Sequence, residues 1–257
     1  MSWASRRRLL YFLGVLFVIV VAAAVPVARA LYHAPTCSDG IQNEGETAPD
    51  LGGPCVALDP ATLQSVSVEW ARAFEVRQGE YGAIAYLLNP NHGAAVLAVP
   101  YTFSFYDANN VLVGERSGTT TIMAGATTPV YVGGISTGSR DIAHTFFKFT
   151  APLSWVAATN PGAQLIVANT RAANTNAAPT ITTDVTNTDV TDRDAITYVA
   201  TAFDPAGNAI ATSKTYVGQL AGGATKRLVF TWPDPFPVAP ARIDVLPVIA
   251  PAVMAAR

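Results

Sequence analysis

The sequence predicts an all-β protein: one N-terminal transmembrane helix followed by two tandem β-sandwiches. Three observations carry this. A 19-residue run, 9–27, holds no charged side chain. Beyond it the chain is rich in threonine, alanine, glycine and proline, a composition that favours strands and turns over helix. Charged residues make up 13% of the whole, against ~25% in an average soluble domain. Finally, short segments of alternating polarity recur along the chain and then repeat at a fixed spacing.

The apolar run is close to the ~20 residues that span ~30 Å of hydrocarbon as a helix. In lipid every backbone group must be bonded within the segment, so helix is the form required. Arg6, Arg7 and Arg8 stand just before it and favour retention on the cytoplasmic side. Tyr11 and Tyr32 suit the two interfaces. The expected topology is a cytoplasmic stub over 1–8, an anchor over 9–30 and everything else outside the cytoplasm. A second reading stands beside it. Ala28-Arg29-Ala30 has the small-x-small form of a signal-peptidase site, although the run exceeds the usual 7–15-residue signal core. Pro26 marks the exit or the end of the helix in either case. After Ala30, 12 Lys and Arg face 18 Asp and Glu. No basic stripe with interleaved aromatics occurs there, and nucleic acid is not an expected partner.

Residues 31–57 form a loop or linker that contains the chain's two cysteines, Cys37 and Cys55. Outside the cytoplasm two nearby cysteines most simply make one disulfide. Glycine and proline punctuate the stretch and argue against regular structure. Asp39, Asn43, Glu44, Glu46 and Asp50 offer hard oxygen ligands, so calcium is the candidate cofactor. Their spacing does not match an EF-hand, and a solvated spacer is the other reading. Cys-Ser-Asp-Gly-Ile-Gln-Asn-Glu-Gly-Glu-Thr, ending in Asp-Leu-Gly-Gly-Pro-Cys, resembles a short cysteine-rich motif of bacterial surface proteins. There it often follows a membrane anchor and ends in Asp-Cys-Gly-Gly-Pro-Cys. Here Leu51 replaces the middle cysteine, leaving an even pair. The resemblance implies envelope location and no particular activity.

Strands are expected over 66–76, 81–88, 96–106, 111–114, 119–123, 129–132, 143–150 and 165–169. In the first, Val66, Val68, Trp70, Phe74 and Val76 share one parity, the two-residue period of a half-buried strand. In the third, Tyr101, Phe103 and Phe105 do the same. A second unit then repeats the first. Asn187 follows Asn89 by 98 residues, Asp204 answers to Asp107, and Gly222-Gly-Ala-Thr225 answers to Ala124-Gly-Ala-Thr127. Phe149-Thr150 and 165–167 are matched to Phe230-Thr231 and 243–245. Units of this size with turns every 8–12 residues argue immunoglobulin-like sandwiches, over 58–171 and 179–251, with a linker at 172–178 and a tail at 252–257. Residues 184–233 resemble the FxLYD-type and fibronectin-III-like modules of bacterial surface proteins, which implies a non-catalytic binding or spacing role.

Catalytic signals are weak. His33, His92 and His144 stand far apart, no G-x-S-x-G elbow surrounds Ser104 or Ser136, and no enzyme is expected. Asp184, Asp189, Asp192 and Asp194 form an acidic group in what reads as an inter-strand loop. Trp155, Trp232 and Phe236 are either contact residues or core plugs. The expected role is a non-enzymatic, membrane-anchored protein that presents tandem sandwiches for protein binding or scaffolding at the cell envelope. Two alternatives are a spacer subunit of a membrane complex and a carbohydrate-binding module. The latter needs Tyr101, Phe103, Trp155 and Trp232 exposed on one face.

Overall fold

The structure is a computed structural model that describes residues 3–31, 36–43 and 45–255. It divides into two units, Met1–Cys55 and Val56–Arg257.

The first unit holds helix α1 (Trp3–Leu31) and the cysteine loop. Within α1, Ser5–Val27 is long and apolar enough to cross a membrane. At 1.5 Å per residue its 23 residues reach about 35 Å. Pro26 lies inside the helix rather than ending it. Leu10, Phe12 and Phe17 are each about two-thirds exposed. Tyr32 and His33 lie outside the described residues.

The second unit is built of strands, with one short 3-10 turn at Pro161–Gln164. Its first half comprises β1 (Ser67–Arg77), β2 (Glu80–Leu88), β3 (Ala94–Tyr106), β4 (Leu112–Ile122), β5 (Thr127–Ser136), β6 (His144–Phe149) and β7 (Trp155–Thr159). The second half comprises β8 (Leu165–Ala173), β9 (Thr180–Asn187), β10 (Arg193–Phe203), β11 (Ala209–Leu220), β12 (Thr225–Thr231), β13 (Arg242–Val248) and β14 (Ala252–Val253).

Four sheets result, and every pairing is antiparallel. One runs β1-β2-β5. The sheet facing it runs β4-β3, with β6 and β7 sharing the far edge of β3 and β14 outside β7. In the second half, β8-β9-β12 faces β11-β10-β13. The halves are therefore copies: strands 1, 2 and 5 of each make one sheet, and strands 4, 3 and 6 make the other.

The two sandwiches stack face to face, giving four layers. Val96, Phe103, Phe105 and Ile122 fill the first core with Tyr81, Ala83, Ala85 and Leu87 of β2. Ile196, Tyr198, Ala200, Phe230 and Trp232 fill the last. Between them lies a shared layer, in which Phe74, Ile84 and Tyr86 meet Val199, Phe203 and Ala209. Strands β2 and β10 are consequently buried on both faces. Their sequences, Tyr-Gly-Ala-Ile-Ala-Tyr-Leu-Leu and Ile-Thr-Tyr-Val-Ala-Thr-Ala-Phe, are nearly unbroken apolar or small runs, as strands covered on both faces require. By contrast β9, Thr180–Asn187, alternates strictly between buried and half-buried positions, because one of its faces is open.

Matching residues lock the two copies. Asn89 is fully buried, and its Nδ2 donates to Ala94 O at 2.8 Å and Met123 O at 2.9 Å. Asn187 is also fully buried and donates to Thr191 O at 2.8 Å and Leu220 O at 3.1 Å. The main-chain N–H groups of both reach the turns at Ala126 and Ala224. Those turns hold Gly125 and Gly223 at φ +57° and +71°, a region where side chains are strained.

Several expectations on boundaries are corrected. The segment 172–178 is not a linker: Ala172 and Ala173 close β8 against Ile181 and Thr180, and the rest is a hairpin turn. Strand β8 thus belongs to the second sandwich, not to 58–171. Within 252–257, Ala252 and Val253 are no tail but pair with Thr159 and Ala158. The segments 111–114 and 119–123 are one strand, β4, which pairs along β3 from Leu112 to Ile122; within it Gly118 lies against Tyr101, where a Cβ would stand 2.6 Å from the hydroxyl. Phe230 belongs to the counterpart of β5, and 165–167 to the counterpart of β1, so those two matches of the repeat were misplaced.

Candidate binding surface

The cysteine loop is closed by a Cys37–Cys55 disulfide with Cα atoms 5.5 Å apart. Its described carboxylates accept from backbone amides. Asp50 accepts from Asp39 N and Gly40 N, and Asp39 accepts from Thr36 N and Ile41 N. Glu46 is buried: one oxygen accepts from Asn43 N and Asp50 N, while the other lies 3.0 Å from Cys55 Sγ. Asn43 donates its side-chain amide to Asp39. These oxygens organise the turns of the loop, while Asn43 Oδ1 is buried without a hydrogen-bond partner. Glu44 lies outside the described residues. Cys37, Glu46 and Cys55 do cluster, but both sulfurs are committed to the disulfide.

The acidic group of the second half is dispersed. Asp184 lies on β9, where Arg227 reaches it at 2.8 Å, and that bond with one from Asn169 holds its carboxyl below the usual range. Asp189 sits in the following turn, lowered by the amides of Thr191 and Val190 and paired with Arg193. Asp192 accepts from Gln219 and Gly222 N, and Asp194 is on β10. The strand periodicity places Asp184 on a sheet face, away from the turn the sequence suggested.

Of the aromatics, Tyr101, Phe103, Trp232 and Phe236 are buried and Trp155 is half-buried against the first core. Trp232 and Phe236 meet edge to face inside the second core, and Trp232 Nε1 donates to Thr212 O. They plug the sandwich. His92 lies in the turn after β2, and His144 opens β6. Ser104 donates to Glu115 at 2.7 Å, and Ser136 stands at the end of β5.

The structure brings a different set together at the rim of the shared layer. Two contiguous clefts of about 580 Å³ each open along β1. Trp70, His144, Phe146 and Asn208 line the first, and Phe74, Asp204, Pro235 and Pro237 line the second; Arg72 and Ala209 belong to both. Trp70 is fixed by Tyr86, ring centroids 4.4 Å apart, and by the edge of Phe203. Phe146 is 61% exposed and is held edge-on by Tyr106. Arg72 donates to Ala209 O at 3.0 Å, tying the halves together. Asn208 holds the Asp204 carboxyl low through hydrogen bonds, with Arg72 adding to the effect. Deeper in the layer, burial pushes up the Tyr86 hydroxyl and the Asp244 carboxyl, the latter against the pull of Arg242. One sequence signal marked this place: Arg72 interrupts the apolar parity of Trp70 and Phe74.

No protein-family model matches the chain, and no curated protein matches it. Solved structures align at low similarity. A red sea bream transglutaminase shows 12% identity over 73% of this chain and 31% of its own, TM-score 0.22. A Bacteroides uniformis β-glucuronidase shows 19% identity over 76% and 25%, TM-score 0.20. A glycoside hydrolase family 2 β-glucuronidase shows 14% identity over 86% and 26%, TM-score 0.22. The chain spans less than a third of each of these proteins, and scores of this size say nothing of its activity.

Proposed function

We propose that the chain is a single-pass protein of a bacterial cell envelope, anchored by α1 with its N-terminus in the cytoplasm. Its two sandwiches, of the immunoglobulin-like kind, present a rigid, non-enzymatic surface for protein binding or scaffolding. The observation that carries this reading is the bare apolar surface of Ser5–Val27, none of it buried, which calls for lipid or a partner. The disulfide supports an oxidising compartment. The stacked sandwiches supply a stiff platform, and exposed sheet edges supply backbone groups for a partner strand.

The test has two parts. Alkaline extraction of cell membranes should leave the full-length chain in the pellet with Cys37 and Cys55 oxidised. Recovery of a soluble chain lacking about its first 30 residues would instead identify a cleaved signal. Photocrosslinkers at Phe146, Tyr216 and Leu16 then separate the roles. Partners captured from the sandwich positions support binding, whereas partners captured only from Leu16 make the protein a spacer subunit held by its helix.

A further inference from the structure

We infer that the Cys37–Cys55 bridge is a redox-active site: a dithiol donor opens it by attacking Cys37, and Glu46 stabilises the reduced loop by accepting a hydrogen bond from the Cys55 thiol. The inference goes beyond the binding and scaffolding reading and does not rest on it.

Burial makes the bridge asymmetric. Cys37 is exposed, whereas Cys55 is 2% exposed. A thiolate arriving from solvent meets the Cys37 sulfur, and Cys55 is the sulfur that leaves.

Glu46 stands where that sulfur departs. The residue is 6% exposed. Its Oε2 accepts from Asn43 N and Asp50 N, both at 3.2 Å. Its Oε1 has Cys55 Sγ at 3.0 Å. A disulfide sulfur carries no proton, so among the described residues Oε1 has no donor. A buried acceptor left without a donor carries a desolvation cost that a partner offsets. Reduction creates that partner, because the Cys55 thiol brings one S–H. The oxidised loop therefore holds an unmet acceptor and the reduced loop does not. A bridge whose reduced form is stabilised in this way is more easily opened than one without such a neighbour.

Local bonds on the Cys55 side keep the two residues neighbours without help from Cys37. Glu46 N donates to Asn43 O at 2.9 Å, Leu51 N to Ala48 O at 2.9 Å and Cys55 N to Gly52 O at 3.0 Å. Gly53 packs on Gly45, where a Cβ would stand 2.4 Å from the carbonyl oxygen.

The exchange runs in two steps. A donor thiolate attacks Cys37 Sγ, the S–S bond breaks, and Cys55 takes the electron pair and a proton from solvent. The donor's second thiolate then attacks the mixed disulfide, and Cys37 leaves as thiolate and is protonated in turn. Two electrons pass to the bridge, and the donor becomes a disulfide.

The test uses the full-length protein in detergent at pH 7, equilibrated with mixtures of reduced and oxidised glutathione, whose thiols perform the same two steps. Alkylation and mass spectrometry read the reduced fraction. A substantial reduced fraction is expected at glutathione ratios that leave ordinary structural bridges oxidised. Glu46→Gln keeps one oxygen for the two amides but sets an amide nitrogen by the sulfur, and should lower the equilibrium constant for reduction roughly tenfold, the scale of one hydrogen bond to a charged group. Rapid acid quenching of the wild-type protein should trap glutathione on Cys37, a result that needs no variant. A bridge that stays oxidised throughout, an equal or larger constant in Glu46→Gln, or glutathione trapped on Cys55 overturns the inference. All three readouts come from purified protein, so they stand or fall apart from the question of what the sandwiches bind.

Discussion

Asn89 and Asn187 show how one side chain can define a fold twice. Each is fully buried and its amide bridges two carbonyls of the neighbouring segments. Removing the amide strands those carbonyls in the interior, which costs ~1–3 kcal/mol. Asn89→Ala and Asn187→Ala should therefore destabilise by similar amounts in urea titrations, despite their different surroundings. Asp244 makes the opposite kind of contribution. Burial raises its carboxyl above the unfolded value, and Arg242 offsets this in part. Such a group stabilises the fold below the unfolded pKa of ~3.9, and that contribution is lost as pH rises through the higher folded value. Asp244→Asn should thus raise the urea midpoint at pH 7 and remove this part of the pH slope above the unfolded pKa of ~3.9. A midpoint lower than wild type at pH 7 would mean that the Arg242 contact outweighs the desolvation.

Among the elements, the one-sided strands were the legible ones. Tyr101, Phe103 and Phe105 share one face in the first core, although Thr102 and Ser104 on the other face are buried as well, and β9 alternates strictly in burial. The hairpin at 172–178 was misread because Asn-Thr-Asn-Ala-Ala is equally the composition of a linker and of a turn, and only pairing distinguishes them. Strand β7 and the pair Ala252–Val253 went unseen, being five and two residues long with no period to display. Beyond the break that Arg72 makes in the parity of β1, the two clefts could not be read from sequence, since their walls come from 70–75, 142–146, 204–210 and 235–237, which only the stacking of sandwiches brings together. In the cysteine loop the oxygen-rich composition was plain, while the fate of the oxygens on backbone amides was not. Its bridge spans 18 residues, and closing such a loop contributes about 3 kcal/mol in the chain-entropy treatment. Cys37→Ser with Cys55→Ser should accordingly open 37–55 to rapid proteolysis, seen by mass spectrometry. Unchanged protection would show that the turns held by Asp39, Glu46 and Asp50 suffice.

At the scale of the molecule, the shared layer is what makes two repeats one body. A chain of tandem modules joined by a linker would melt module by module. Here Phe74, Ile84 and Tyr86 pack on Val199, Phe203 and Ala209, so neither sandwich can unfold without exposing a face of the other. Calorimetry of the wild-type sandwiches should show a single transition. Phe203→Ala removes a ring from the middle of that layer, at a cost of ~3–5 kcal/mol, and should split the transition in two. A single transition shifted intact would mean that the coupling runs through the turn at Met123, which reaches into the second core.

The pairing of Ala252 and Val253 with β7 also sets an order of events during synthesis. The second sandwich can assemble as its strands emerge, but the outer sheet of the first gains its last strand only when Ala252 and Val253 arrive, about 93 positions after their partners at 158–159. A nascent chain halted before residue 252 would leave the edge of β7 bare, a nucleus for mispairing between neighbouring chains on the same polysome.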